Sequence, residues 1–413
     1  MSSWNRILAD SEWDGDFSPR NLPYGVCTML NGDVGEPFLA TRVGGFVLKL
    51  VNFAPELPIP PQAGDWQFLM RQTKTQRVQF RETLQQLVLS GQSRLHLHEF
   101  FTQTCFPAGQ IRCQLPCVIG DYTDFYASRN HAENVGIMYR GKDAALQPNW
   151  LHLPVGYHGR ASSVVCSPSS VVRPMGQLPS PGGKPPVSFA KTSKLDFELE
   201  VGVFVGGPEN ELGTRLTVAQ ARDRIFGLVL LNDWSARDIQ TWEYVPLGPF
   251  TAKNFCTTIS PWIVPVEALD SCKAIPVGGI TQPDLIDYLR DDEYLLYDVD
   301  LFAAIKSNHH KELVVCQTNL RNLYWTPAQM MAHHTVTGCN LRPGDLLGTG
   351  TISGPQPNEF GSLLEASWNG TKSMAGRDQA FLQDGDVVRM FGRAKGLGVG
   401  FGDCVGVVLP SKL

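Results

Sequence analysis

Short apolar runs broken by turn-forming residues dominate the first hundred positions of the chain. YGVCTML and GFVLKLV flank the turn-rich NGDVGEP, which predicts strands paired through a turn. Residues 72–89 return apolar side chains at helical spacing among good helix formers, so a helix is expected there. TCFPAGQIRCQLPC, punctuated by Cys and Pro, reads as a linker, and a boundary is placed near residue 115. This divides the chain into a small β-rich domain, 1–115, and a larger one, 116–413. In the larger domain, residues 162–188 are rich in Ser, Pro and Gly and predict an exposed, irregular loop. Further on, RPGDLLGTG, LQDGDVVRMFG and VGFGDCVGVVLP each set Gly-Asp directly before apolar strand residues. No fixed-period repeat is present. The expected fold class is mainly β with short helices.

One alternating stretch carries more than a strand signal. Residues 195–203, LDFELEVGV, put Phe197, Leu199 and Val201 on one face and Asp196, Glu198 and Glu200 on the other. Same-face neighbours in a strand lie about 6.6–6.8 Å apart, so these carboxylates repel unless water screens them or a cation pairs them. A solvated sheet edge satisfies the first condition. The second requires oxygen-only coordination, which suits Mg²⁺ or Ca²⁺ better than zinc. A buried-type strand, FGLVLL, then runs into NDWSARDIQTWEY. Asp233 stands at its C-terminal mouth, Ser235 with Asp238 resembles a capping box, and Arg237, Gln240 and Tyr244 share one helix face. A guanidinium, an amide and a phenol so placed suit a carbonyl or carboxylate ligand; an ordinary solvated face is the bland alternative. Read as a helix, DYTDFYASRNHA aligns Asp124, Ser128 and His131. GTGTISG, residues 348–354, is a glycine-rich turn without the lysine of a phosphate loop. Glu365 lies among apolar residues, and a histidine partner would turn the pair into a general base.

Composition narrows the class. Thirty-five basic and 40 acidic residues give a net charge of −5, so no basic field is available to hold a nucleic-acid backbone. The longest apolar runs are far too short to span a membrane, and the N-terminus has no apolar signal region. Ten cysteines without a C-x-x-C pair are expected to be free thiols in a reducing, cytoplasmic setting. The terminal Ser411-Lys412-Leu413 matches a peroxisomal address and provides the alternative location.

Five strings together resemble the fumarylacetoacetate hydrolase family: DYTDFYASRNHAENVGIMYRG, LPVGYHGRASS, KLDFELEVGVFVG, LNDWSARDIQTWEYVPLGPFTAKNF and GTISGPQPNEFGSLLEASW. They cover most of residues 115–413, and the first third is similar mainly around NLPYGV. The resemblance implies a homodimer with an SH3-like N-terminal barrel and a β-roll catalytic domain. It implies hydrolysis of 4-fumarylacetoacetate to fumarate and acetoacetate, closing tyrosine and phenylalanine breakdown, or cleavage of an acylpyruvate or another 1,3-dicarbonyl. On matching positions, Asp124, Glu198, Glu200 and Asp233 would hold Ca²⁺ or Mg²⁺, and Asp233 with Lys253 and Thr257 would adjoin a second cation. His131 would be the base, oriented by Glu365, while Arg237, Gln240 and Lys253 stabilise charge. Tyr126, Arg140, Gln240, Tyr244 and Thr351 would contact the substrate, with Tyr157 nearby. Cys256 departs from the glycine that the family pattern leads one to expect.

Overall fold

A computed structural model describes residues 4, 15–30, 36–61, 64–90, 93–180, 184–279, 281–282, 284–307, 311–395 and 398–412. Part of the NGDVGEP turn, residues 31–35, and Leu413 of the terminal tripeptide lie outside the described residues. The fold is mainly β, with short helices at strand ends and edges.

The first unit is a five-stranded antiparallel sheet in the order Cys105–Pro107, Phe46–Lys49, Phe38–Val43, Tyr24–Met29, Ile111–Gln114. The expected strands and the helix, observed at Lys74–Leu89, are present. The segment read as a linker instead supplies both edge strands, where Pro107 is tolerated because an edge leaves N–H groups unpaired. The expected pairing of Tyr24–Met29 with Phe46–Lys49 is corrected, because FLATRV forms the middle strand and pairs with Tyr24–Met29 on one side and Phe46–Lys49 on the other.

The central element is an eight-stranded sheet. Its main path runs Gly156–His158, Tyr122–Phe125, Leu346–Gly348, Leu199–Val205, Ile225–Asp233, Thr257–Ile259, Val164–Cys166, and Val264–Pro265 pairs with Ile225–Asp233 off that path. Leu199–Val205 and Ile225–Asp233 are buried at every position, because both faces of the sheet are covered. On one face Val201, Val203, Leu228 and Leu230 pack against Leu301, Ala303, Val388 and Met390 of a six-stranded sheet. On the other face Phe204, Val229 and Leu231 share a core with Tyr24, Trp66 and Phe80 of the first unit.

Residues 162–188 are not an irregular loop. They form Val164–Cys166, Ser169–Val172, Met175–Ser180 and the start of Lys184–Lys191. Val164–Cys166 closes one edge of the eight-stranded sheet and Ser169–Val172 one edge of the six-stranded sheet, both by parallel pairing with strands distant in sequence. Composition registers such pairing poorly, since the partner is not local.

The first unit is tied to the central sheet directly. Tyr24 and Ile263 exchange backbone hydrogen bonds of 2.8 and 2.9 Å. Trp66 stacks on Tyr24 with ring centroids 4.3 Å apart and donates from Nε1 to the Gly25 carbonyl at 2.9 Å. Trp66→Ala is therefore expected to destabilise the protein by about 3–5 kcal/mol. Chemical denaturation should still show one transition for both sheets; two separate transitions would contradict a shared core.

Candidate active site and metal centre

The acidic stretch is not one continuous strand. Pairing breaks between Leu195–Asp196 and Leu199–Val205, and Glu198 bridges to Ser362 in the gap. Every residue from 195 to 205 is buried, which excludes the solvated edge. Glu200 and Asp233 extend the face that carries Phe204 and Leu231, and Gly348 pairs with both Gly202 and Asp124. Asp124, Glu200 and Asp233 thereby come together, with one oxygen from each within 4.8 Å of the others. Gly348 makes the room: a Cβ there would meet Asp124 Oδ1 at 2.6 Å and Glu200 Oε2 at 3.0 Å.

Electrostatics distinguish this trio from its neighbours. Burial and the Asp233 charge push Asp124 well above the usual carboxylate range, and burial with Asp124 and Asp233 does the same to Glu200. Burial raises Asp233 to about 6, although Lys253 pulls the other way. Among the described residues no donor reaches Asp124 Oδ1 or Glu200 Oε1. Buried, crowded and unsatisfied oxygens of this kind fit a hard divalent cation, which would remove the repulsion and complete their bonding.

Glu198 stands apart. Its Oε1 accepts from Arg237 Nη1 at 2.6 Å and its Oε2 from the Lys253 ammonium. Burial acts to raise its pKa, but these two cations outweigh it and hold the carboxyl below its ordinary range. Lys253 also donates to Asp233 Oδ2 at 2.6 Å, so it enters the cluster as a cation and not as an oxygen ligand. Thr257 Oγ1 and Tyr157 OH each lie 3.4 Å from an Asp233 oxygen.

The stretch containing His131 is half strand and half helix. Tyr122–Phe125 is a sheet strand carrying Asp124, and Arg129–Arg140 is a helix beginning after Ser128. The single helix expected there is thus corrected, since pairing with Leu346–Gly348 takes its first half into the sheet. His131 Nδ1 donates to Glu365 Oε2 at 2.6 Å. Ser353 and Ser362 hydroxyls donate to the same oxygen, and Asn134 Nδ2 to Oε1, each at 2.9 Å. Burial opposes ionisation of Glu365, but His131 and these donors hold its pKa below the ordinary value. An ionised Glu365 keeps the proton on Nδ1 and leaves Nε2 as the basic nitrogen. Asn134, Ser353 and Ser362 escaped the sequence reading. Asn134 is one turn beyond His131, which is the signal that was there to find.

A cavity of about 600 Å³ joins the two groups. His131, Asp124, Glu198, Glu200, Arg237, Gln240, Lys253, Tyr126, Arg140, Tyr157, Tyr244 and Thr351 line it, whereas Asp233, Thr257 and Glu365 stand behind its wall. Gln240 Oε1 accepts from Arg237 Nη1 at 3.3 Å, and Tyr126 meets His131 edge-on at 5.3 Å. Arg140 donates from Nε to the Ala144 carbonyl at 3.0 Å and from Nη2 to the Ala145 carbonyl at 2.7 Å. Helix Arg237–Glu243 starts without the expected capping box; Asp238 instead accepts from Ser193 N at 2.8 Å. Val245, Pro246 and Leu247 form an exposed apolar wall at the mouth.

A carboxylate-backed histidine facing a buried acidic trio across one cavity is the equipment of a metal-assisted hydrolase using a general base. The model of the fumarylacetoacetate (FAA) hydrolase C-terminal family matches residues 121–408, and the chain belongs to this family. It is 46% identical over 416 residues to human fumarylacetoacetase, covering 97% of this chain and 98% of that one. To bovine fumarylacetoacetase it is 45% identical over 414 residues, 96% of this chain and 97% of the other. In fold it is similar to a solved fumarylacetoacetate hydrolase from psychrophilic Exiguobacterium antarcticum, with a TM-score of 0.52 at 14% identity over 94% of this chain and 99% of that one.

Gly348→Ala tests the trio. The added methyl group should weaken Mg²⁺ and Ca²⁺ binding to chelated protein by about 10–100-fold in titration calorimetry, the range seen when support around metal ligands is altered. Unchanged affinity would mean that the trio is not where the cation sits.

Proposed function

We propose that this protein hydrolyses fumarylacetoacetate to fumarate and acetoacetate, with a divalent cation held by Asp124, Glu200 and Asp233. The observation that carries this reading is the 2.6 Å His131–Glu365 pair, whose imidazole opens into the cavity that Asp124 and Glu200 of the acidic trio line. Near-full-length similarity to fumarylacetoacetases supports the choice of substrate.

Cleaving the C–C bond of a 1,3-dicarbonyl creates negative charge twice, at the attacked carbonyl and at the departing enolate. His131 Nε2 takes a proton from water, and the hydroxyl adds to the carbonyl next to the fumaryl group. Glu365 stabilises the imidazolium that forms and keeps the ring in one orientation. Arg237, Gln240 and Lys253 place donors where the oxyanion develops. Collapse of that oxyanion breaks the C–C bond, and the proton held at Nε2 passes to the departing carbon, so His131 ends as it began. A bound Mg²⁺ or Ca²⁺ supplies positive charge for the oxygens of the dicarbonyl. Both ions suit an all-oxygen ligand set.

The test follows loss of the dienol absorbance of fumarylacetoacetate, with product identification, on native, chelated and metal-reconstituted protein. Fumarate and acetoacetate should form, cease on chelation and return with Mg²⁺ or Ca²⁺. Cleavage of an acylpyruvate while fumarylacetoacetate stays intact would overturn the substrate, and indifference to chelation would remove the cation. His131→Ala and Glu365→Ala should each lower kcat by about 10²–10⁴-fold with little change in KM; wild-type turnover in either would remove the dyad.

A further inference from the structure

Asp196 is fully buried and has no place in the reaction as described above. Its carboxylate accepts four N–H groups. Oδ1 accepts from the backbones of Phe197 and Leu363, both at 2.8 Å. Oδ2 accepts from the Leu364 backbone and from Arg237 Nε, both at 2.9 Å. Leu363 and Leu364 open the short helix that carries Glu365. Arg237 is the guanidinium that lines the cavity on the acidic side. One side chain therefore touches both halves of the site.

The bonding of Arg237 gives that contact its consequence. Nη1 is taken by Glu198 and Gln240, Nε by Asp196, and Nη2 is buried with no hydrogen-bond partner among the described residues. Two carboxylates on adjacent nitrogens fix the plane of a guanidinium, and hence the direction in which its remaining N–H groups point. Glu198 alone would not do this, because its second oxygen is committed to Lys253. Asp196 anchors that plane to the backbone just before Glu365, the residue that holds His131. The cation side and the base side are supplied by elements far apart in sequence, and Asp196 is their common reference.

We propose that Asp196 is a positioning residue that locks Arg237 to the segment bearing Glu365 and so sets the oxyanion-side guanidinium relative to the His131 base. This rests on the proposed functions of Arg237 and His131. Orientation of this kind matters because a misplacement of about 1 Å can cost about 10²-fold in rate.

The experiment is a double-mutant cycle on the Mg²⁺-loaded full chain with fumarylacetoacetate, each variant assayed well below its melting temperature. Asn at 196 can still accept at Oδ1 but offers Nδ2 to two donors, so Asp196→Asn should lower kcat by about 10–100-fold while KM shifts less than about threefold. In an Arg237→Ala background the same change should cost much less, leaving the combined loss at least about tenfold smaller than the product of the single losses. A purely structural residue would give multiplicative losses, and that result overturns the proposal. Arg237→Lys adds an arm that does not depend on the folding of the Asp196 variant. Lysine keeps the charge but cannot hold Asp196 and Glu198 together in the planar fork, so its kcat should match that of Arg237→Ala; near-wild-type kcat overturns the proposal. Wild-type protein that leaves fumarylacetoacetate intact overturns the functional reading and this inference with it, whereas multiplicative losses in an active enzyme overturn this inference alone.

Discussion

The acidic side of the site follows from burying five carboxylates with two cations where a sheet covered on both faces meets the segments that carry Asp196, Arg237 and Lys253. Asp124, Asp196, Glu198, Glu200 and Asp233 are all buried, as are Arg237 and Lys253. Removing a charge from water costs several kcal/mol unless a partner and hydrogen bonds replace the hydration shell. Asp196 and Glu198 find that replacement in Arg237 and Lys253, and Asp233 shares Lys253. Asp124 and Glu200 do not, and the structure leaves them as the point where more positive charge is needed. The capacity to hold a cation is thus a property of the charge balance of the whole cluster more than of three carboxylates taken alone.

The base side answers the same constraint in the opposite way. Glu365 is as deeply buried, yet each of its oxygens is satisfied by the chain itself, through His131, Asn134, Ser353 and Ser362. One end of the cavity is electrostatically complete and holds a histidine in a single tautomer. The other is incomplete, because its crowded carboxylates lack the positive charge that a cation would bring. A substrate that becomes negative at two oxygens in turn is matched by this division, with proton handling kept at one end and charge stabilisation at the other.

Much of the site was legible in the sequence because its strongest signals are local. The alternation in LDFELEVGV singled out Asp196, Glu198 and Glu200, although only Glu200 lies in the strand Leu199–Val205, and the string after FGLVLL put Asp233, Arg237 and Gln240 within eight residues of one another. What escaped depends on partners remote in the chain. The break after Asp196 exists because Glu198 bridges Ser362, and DYTDFYASRNHA changes from strand to helix because Leu346–Gly348 captures its first half. Residues 105–114 and 162–188 looked like connections on composition, yet they form sheet edges, where Pro and Ser cost little. Gly348 was visible only as part of a glycine-rich turn; its function as the space beside two carboxylates appears once three strands are side by side.

Strand Ile225–Asp233 belongs to three structures at once. Leu228 and Leu230 serve one core, Val229 and Leu231 the other, and Asp233 closes the acidic trio. Its pairing register is consequently guarded twice over. A slip of one residue would exchange the two sets of apolar side chains between cores of different shape and present Asn232 where a carboxylate is needed. Packing far from the cavity therefore acts as a proofreader of the active site: a chain that has closed both cores has already put Asp233 in place, and a chain that has not cannot assemble the catalytic charges at all.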